Sequence, residues 1–272
     1  MKRLLKNSQV AVGLAILAFF VIVAVFAPVL APHDPLQANM PVRLKAPFIS
    51  AEHLLGTDEL GRDVLSRLIF GARVSLIVAF VSTAVGGATG FITGLFAGYF
   101  GGKVDAVVMR TIDVFLAFPG MLLALVIVAM LGSSTLNVIF AVAIFAVPAF
   151  ARVSRGSTLG TKKLEYIDAI KALGASDIRV MFLHIMPNIL TPTIVQTALY
   201  VASAIVIASA LSFLGVGTPP PTPEWGNMLN NGREFMERAP HLIMLPGFII
   251  FLVVIGINLL GEGLRSALEP KK

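Results

Sequence analysis

Long apolar runs separated by short polar segments dominate the chain. Val10 to Leu30, Val74 to Ala97, Val114 to Leu131, Leu136 to Phe150, Leu190 to Leu211 and Leu242 to Leu260 contain no Asp, Glu, Lys or Arg. Crossing about 30 Å of hydrocarbon takes about 20 apolar residues in a helix, and a helix satisfies all its backbone polar groups internally. The pattern therefore predicts an all-α polytopic membrane protein with six transmembrane helices. The fourth run is short and holds Pro148, so five spans plus a re-entrant piece is the alternative. The first run also resembles the apolar region of a signal peptide. Its length suits a span, however, and no small-x-small cleavage site precedes a soluble stretch.

One polar, amphipathic stretch, Glu165 to Asn188, stands between the apolar runs. Thr161 is placed to cap a helix in which Leu164, Ile167, Ile170 and Leu173 recur at every third position, leaving Glu165, Asp168 and Ala172 on another face. Gly174 is expected to end it. Ser176 then caps a second short helix with Asp177 at its positive end, running through Ile178, Met181, Phe182 and Ile185 to a stop at Pro187. Thr191 and Pro192 are expected to start the fifth span. Two short helices around a glycine turn suit a docking element for a partner, or an amphipathic hairpin resting on anionic lipid.

Composition agrees with the pattern: 57% hydrophobic and 13% charged residues, with a mean hydropathy of +0.88, describe a chain mostly in lipid. Six spans with an inside N-terminus put most of the 21 basic residues on the inner side, among them Lys2, Arg3, Lys6, Arg152, Arg155, Lys162, Lys163 and Lys171. Arg43, Lys45, Arg62, Arg67, Arg73, Arg233 and Arg238 fall outside, nearly balanced by carboxylates from Asp34 to Glu237. The net +6 charge thus reads as topology, not as a nucleic-acid surface.

Several chemistries lack their residues. With no cysteine there are no disulfides or thiolate metal sites. His33, His53, His184 and His241 form no His-x-x-x-His pair, so no metal site is expected. Gly-x-Ser-x-Gly and Gly-x-Gly-x-x-Gly are absent, and Gly98 to Lys103 fails as a phosphate loop because its first glycine is misplaced and Val104 stands where Ser or Thr should hold magnesium. No enzymatic activity and no bound nucleotide are expected. The spans carry Asn137, Gln196 and Asn258 but no carboxylate or histidine, which disfavours an ion relay. Energy for any transport is then expected from outside the chain.

Small residues suggest where helices meet. Gly86, Gly90, Gly94 and Gly98 recur every fourth residue and line one ridge, suited to close helix packing or to a hinge. Ser203, Ser209 and Ser212 suit helix contact or the lining of a wet path.

Three stretches together resemble one family. Glu165-Tyr-Ile-Asp-Ala-Ile-Lys-Ala-Leu-Gly174, followed by His184-Ile-Met-Pro-Asn188, resembles the glutamate-alanine loop of permease subunits of bacterial ATP-binding-cassette importers. His53-Leu-Leu-Gly-Thr-Asp-Glu-Leu-Gly-Arg-Asp-Val-Leu-Ser-Arg67 and Leu211 to Met228 narrow the resemblance to the C-type permease of the dipeptide, oligopeptide and nickel importers.

The resemblance implies a type I importer permease fold and a heterodimer with a B-type permease. It also implies two P-loop ATPases, which hold ATP and magnesium while this chain binds no cofactor, and an extracytoplasmic substrate-binding protein. Glu165, Ala169 and Gly174 match the loop motif and, with Tyr166, Asp168, Ala172, Ala175 and Pro187, form the expected ATPase-coupling loop. Ile170 and Met186 depart from the family's usual alanine and leucine. Arg62, Asp63, Arg67, Pro220 and Trp225 are the expected outer-face contacts, meeting the binding protein or closing the outer mouth, with a rigid surface loop anchored at the interface by Trp225 as the alternative.

The expected organisation is residues 1–73 as a first span plus outer segment and 74–272 as the permease domain, with a cytoplasmic coupling loop at 152–190. Both termini are expected in the cytoplasm of a bacterium or archaeon, with the chain in the inner membrane. Di- and oligopeptides are the implied cargo, with nickel chelates or glutathione as alternatives. A stand-alone channel or secondary carrier, or a membrane scaffold, are the rivals from other classes.

Overall fold

The computed structural model describes residues 7–268. Among them the fold is all-α, and the only β feature is an isolated bridge between Thr57 and Asp63. The helices are α1 (Ser8–Val25), α2 (Ala27–Leu30), α3 (Val64–Phe100), α4 (Gly102–Leu116), α5 (Gly120–Leu131) and α6 (Thr135–Lys162), followed by α7 (Glu165–Ala172), α8 (Asp177–Phe213), α9 (Trp225–Gly232) and α10 (His241–Leu268). Five of these are long and apolar enough to cross a membrane. The pair α4–α5, bent by 86°, makes the sixth if counted as one span.

The weak span is therefore not the expected one. The fourth run is the core of α6, an unbroken helix of 28 residues that carries Pro148 in its interior. The third run, Val114 to Leu131, is the broken one, interrupted at Ala117 to Pro119. Proline disfavours helical backbone at the residue before it, here Phe118, and Pro119 becomes the N-cap of α5.

α3 is the central element. Its 37 residues span about 55 Å at the usual rise, beginning ten residues before the expected second span. Asp63 caps it by accepting the Ser66 N–H. The expected division at residue 73 falls inside this helix, because Arg67 and Arg73 interrupt the apolar run but not the backbone. Gly86, Gly90, Gly94 and Gly98 face α6 along one ridge, with a Cβ at these positions falling 2.2, 2.4, 2.2 and 2.9 Å from the carbonyl oxygens of Ala143, Val147, Ala151 and Arg155. Here the backbones approach so closely that only glycine fits. The Ser154 hydroxyl also donates to Phe91 O at 2.8 Å across this seam.

Ends of α3 define two poles. At its start, the segment 31–63 and α9 cover the helix. Trp225 is fully buried, meets Phe20 edge-to-face at 6.0 Å, and donates from Nε1 to Leu68 O at 3.1 Å. It is thus a core residue and not the interfacial anchor expected from its amphipathic side chain. Trp225→Ala is expected to cost about 3–5 kcal/mol. Trp225→Phe, losing mainly the hydrogen bond, should cost about 1–2 kcal/mol. Thermal unfolding of the purified protein in detergent would read the difference.

Candidate functional site

The opposite pole carries α7. Its single fully buried residue, Ile167, packs with Phe91, Leu95, Val180, Met181, Ile185 and Ile189, with Ile170 and Ala175 partly buried beside them. Glu165, Tyr166, Asp168, Ala169, Ala172 and Gly174 are exposed, as is Leu173 at 88%. One face of the helix is thus seated on α3 and α8 and the other presents a mixed acidic and small-residue surface.

The turn closing α7 follows from Gly174. Its φ of +85° lies in the left-handed region, its N–H donates to Lys171 O at 2.9 Å, and Ala175 N–H donates to Ile170 O at 3.3 Å. That pair of bonds is a Schellman closure, which satisfies the last carbonyls of the helix. Thr161 does not cap α7: it lies within α6, and Leu164 occupies the N-cap with no side-chain bond.

Ser176 does cap the next helix, accepting the Arg179 N–H at 3.4 Å. That helix does not stop at Pro187. A π segment, Val180–Ile185, leads directly into Met186–Phe213. Its wider hydrogen-bond spacing lets proline enter without a missing donor breaking the ladder. Pro187 sits in the first turn after the π segment, and Thr191 and Pro192 are interior. The Tyr166 hydroxyl donates to His184 O at 3.3 Å and accepts from Asn188 Nδ2 at 3.0 Å, fastening α7 beside Pro187.

Tyr99 forms a second fastener. Tyr99, at the last turn of α3, donates to Asp177 Oδ1 at 2.5 Å, and its ring lies 5.3 Å from Lys162 Nζ and 5.0 Å from Lys171 Nζ. Lys162 also donates to Tyr99 O. Tyr99 thereby ties together α3, α6, α7 and α8. A lone tyrosine ending an apolar run was its only trace in the sequence.

At the other pole, Arg62, Asp63 and Arg67 are buried, so they cannot be the exposed outer contacts expected of them. Each charge is paired. Arg62 Nε donates to Asp58 Oδ2 at 2.6 Å and its terminal nitrogen to Glu59 Oε1 at 2.7 Å. Arg67 reaches Asp58 Oδ2 at 3.3 Å and donates to Pro35 O at 2.9 Å. Of the five expected contact residues only Pro220 is exposed. Buried Glu224 caps α9, accepting Gly226 N–H and Asn227 N–H at 2.9 Å, and reaches across to the Ser75 hydroxyl at 3.1 Å. Burial holds its carboxyl above the ordinary glutamate range despite these donors.

Glu59 is raised in the same way, first by burial and next by the Asp58 charge, with Arg62 and Arg67 opposing. The folded chain thus holds this proton more tightly than the unfolded chain. The associated stability is fully present below the ordinary glutamate value of about 4.3 and is lost as pH rises through the elevated one. Glu59→Gln is expected to shallow the decline in stability above that value, as read from thermal midpoints across a pH series.

Ser209 and Ser212 are buried against α9 and the loop before it. A Cβ on Gly226 would fall 2.4 Å from Ser209 O, and one on Gly217 would fall 1.9 Å from Ser212 Oγ. Both serines belong to internal packing and not to an open path. Ser203 is exposed, with its hydroxyl donating to Leu199 O at 3.4 Å. Despite their scatter in sequence, His33, His53 and Asp63 meet at the same pole, their ligating atoms within 4.8 Å of one another.

Residues 90–272 match the family described as "Binding-protein-dependent transport system inner membrane component", and residues 1–47 match the "N-terminal TM domain of oligopeptide transport permease C". The dipeptide transport system permease protein DppC of Alkalihalophilus pseudofirmus is 46% identical over 271 residues, covering 99% of this chain and 88% of the relative. The glutathione transport system permease protein GsiD of Pectobacterium atrosepticum is 45% identical over 266 residues, covering 98% and 88%. Among solved structures, a chain of the inward-facing MetNI methionine ABC transporter superposes with a TM-score of 0.62 at 16% identity, covering 75% of this chain and 98% of that one. The two share a fold.

Proposed function

Because this chain belongs to the binding-protein-dependent transport inner-membrane component family, as a C-type permease, we propose that it forms half of the membrane path of an ATP-driven importer of small peptides. The observation that carries the reading is α7: a short helix seated by Ile167 and Tyr166, with Glu165, Asp168, Ala169 and Ala172 turned outward. A surface so firmly backed transmits a push instead of absorbing it.

The partners that fit are a B-type permease along the membrane, two P-loop ATPases at the α7 pole, and a substrate-binding protein at the opposite pole. ATP and magnesium belong to the ATPases, and no catalytic role falls to this chain. The basic residues around α7, with Lys162, Lys163 and Lys171 among them, favour a cytoplasmic position for that pole and for both termini. ATP-driven closure of the ATPase pair would move α7, and through it α3 and α8, as a rigid-body change between inward- and outward-open states. Dipeptides and glutathione, itself a small peptide, are the cargoes in the relatives' names.

The test is purification from the native membrane in mild detergent with mass identification of bound chains. A second permease and P-loop ATPases are expected to accompany this one. Recovery as a homo-oligomer without ATPases would favour the channel or carrier reading instead.

A further inference from the structure

We propose that His33, His53 and Asp63 form a binding site for one divalent transition-metal ion of the zinc class. Their geometry defines the site whatever cargo the chain transports. The three residues come from three separate segments: the chain after α2, the loop before Gly56, and the N-cap of α3. His53 Nδ1 lies 3.0 Å from Asp63 Oδ1 and His33 Nδ1 lies 3.8 Å from Asp63 Oδ2. The two imidazole rings are 4.9 Å apart and tilted by 38°. Bonds of about 2.0–2.2 Å to a tetrahedral ion put donor atoms roughly 3.4 Å apart. The two nitrogen–oxygen separations, one to each oxygen of the Asp63 carboxylate, bracket that value.

Two further observations point to a ligand. His33 Nδ1 is shielded from solvent yet has no hydrogen-bond partner among the described residues, since 3.8 Å to Asp63 is too long for one. A ring nitrogen in that position is normally satisfied, and a metal ion would satisfy it. The carboxylate is also held from behind: Asp63 Oδ2 accepts both the N–H and the hydroxyl of Ser66 at 2.8 Å, and Ser66 Oγ accepts the His33 N–H at 3.0 Å. Orienting bonds of this kind fix the ligands of metal sites. One serine here fixes both a ligand's carboxylate and another ligand's backbone.

Beside the cluster lies a cavity of about 80 Å³, lined also by Asp34, Gln37, Asn39 and Glu52. It leaves an open coordination position for water. Calcium and magnesium take all-oxygen shells. Two imidazoles and one carboxylate with a vacant position suit zinc and its neighbours in the transition series. Bound there, the ion would staple segment 31–63 to the start of α3.

The experiment uses the full-length chain without an affinity tag, in detergent, stripped with EDTA and titrated with cobalt(II), whose visible spectrum reports coordination by nitrogen and oxygen. One cobalt per chain is expected, displaced by zinc. His33→Ala and His53→Ala should each weaken binding by at least about 10–100-fold, while His184→Ala leaves it unchanged. His33 is partly exposed, so its variant is expected to fold. As a second reading, zinc should raise the thermal midpoint of the wild type and not of His33→Ala. Absence of a cobalt spectrum, or equal binding by wild type and both cluster variants, would overturn the site and leave a hydrogen-bonded His–Asp cluster.

Discussion

Gly94→Leu is expected to eliminate nearly all folded protein from the membrane. A Cβ alone at this position would lie 2.2 Å from Ala151 O and 2.9 Å from Ser154 Cβ, so it meets backbone and not a side chain that could rotate away. To admit leucine, α3 and α6 must separate along their most extensive contact. Separation would also undo the fits at Gly90 and Gly98 and stretch the bond from Ser154 Oγ to Phe91 O. Overpacking one core site typically costs about 1–3 kcal/mol. Here one insertion disturbs several sites, which makes the loss comparable to the roughly 5–15 kcal/mol of a whole domain. Gly160→Ala is the control, because nothing lies within 4 Å of its Cβ direction and alanine is the better helix former. Size-exclusion profiles of detergent extracts would separate the two; a normal monodisperse peak for Gly94→Leu would refute glycine packing as the basis of the α3–α6 pair.

That seam was half legible. The spacing of four from Gly86 to Gly98 announced a close approach, but nothing in the chain named the partner, because α6 answers with Ala143, Val147, Ala151 and Arg155 through their backbone carbonyls. Carbonyls carry no residue signature. The spans were legible from length and apolarity, and the family from its motifs.

What misled was the local weighing of proline. Pro148 lies inside a helix otherwise supported by contacts with α3 and α8, whereas Pro119 follows a phenylalanine at the exposed corner of α4 and α5. Tertiary support decides which proline breaks a helix. Pro187 is tolerated for a local reason instead, since it falls in the first turn after a π segment.

Charge was misread for a related reason. Arg62, Asp63 and Arg67 look like surface residues to any count of polarity, yet each is buried with a partner within five residues or across a loop. The spacings of four and three that help allow this, Asp58 to Arg62 and Asp63 to Ser66, were present in the sequence. The cluster of His33 with His53 and Asp63 was not, since it depends on how segment 31–63 folds back on α3.

The proposed coupling loop around α7 offers the sharpest functional test. Gly174→Pro is expected to abolish ATP-driven uptake while leaving the chain folded and inserted. Proline fixes φ near −65° and has no N–H, whereas position 174 has φ +85° and donates to Lys171 O. The turn between α7 and α8 cannot then close. No atom lies within 4 Å of the Cβ direction, so the effect is confined to the backbone. Beneath it, Phe91, Leu95, Met181, Ile185 and Ile189 pack without the turn and hold the pole together. A graded series separates strain from position: Gly174→Asn, which tolerates the left-handed region, should retain most uptake, and Gly174→Ala, at a cost of about 1–2 kcal/mol, should fall between. Uptake and ATP hydrolysis measured together in reconstituted vesicles would show hydrolysis decoupled from uptake in the proline variant. Full uptake by that variant at wild-type abundance would mean that α7 does not carry the stroke.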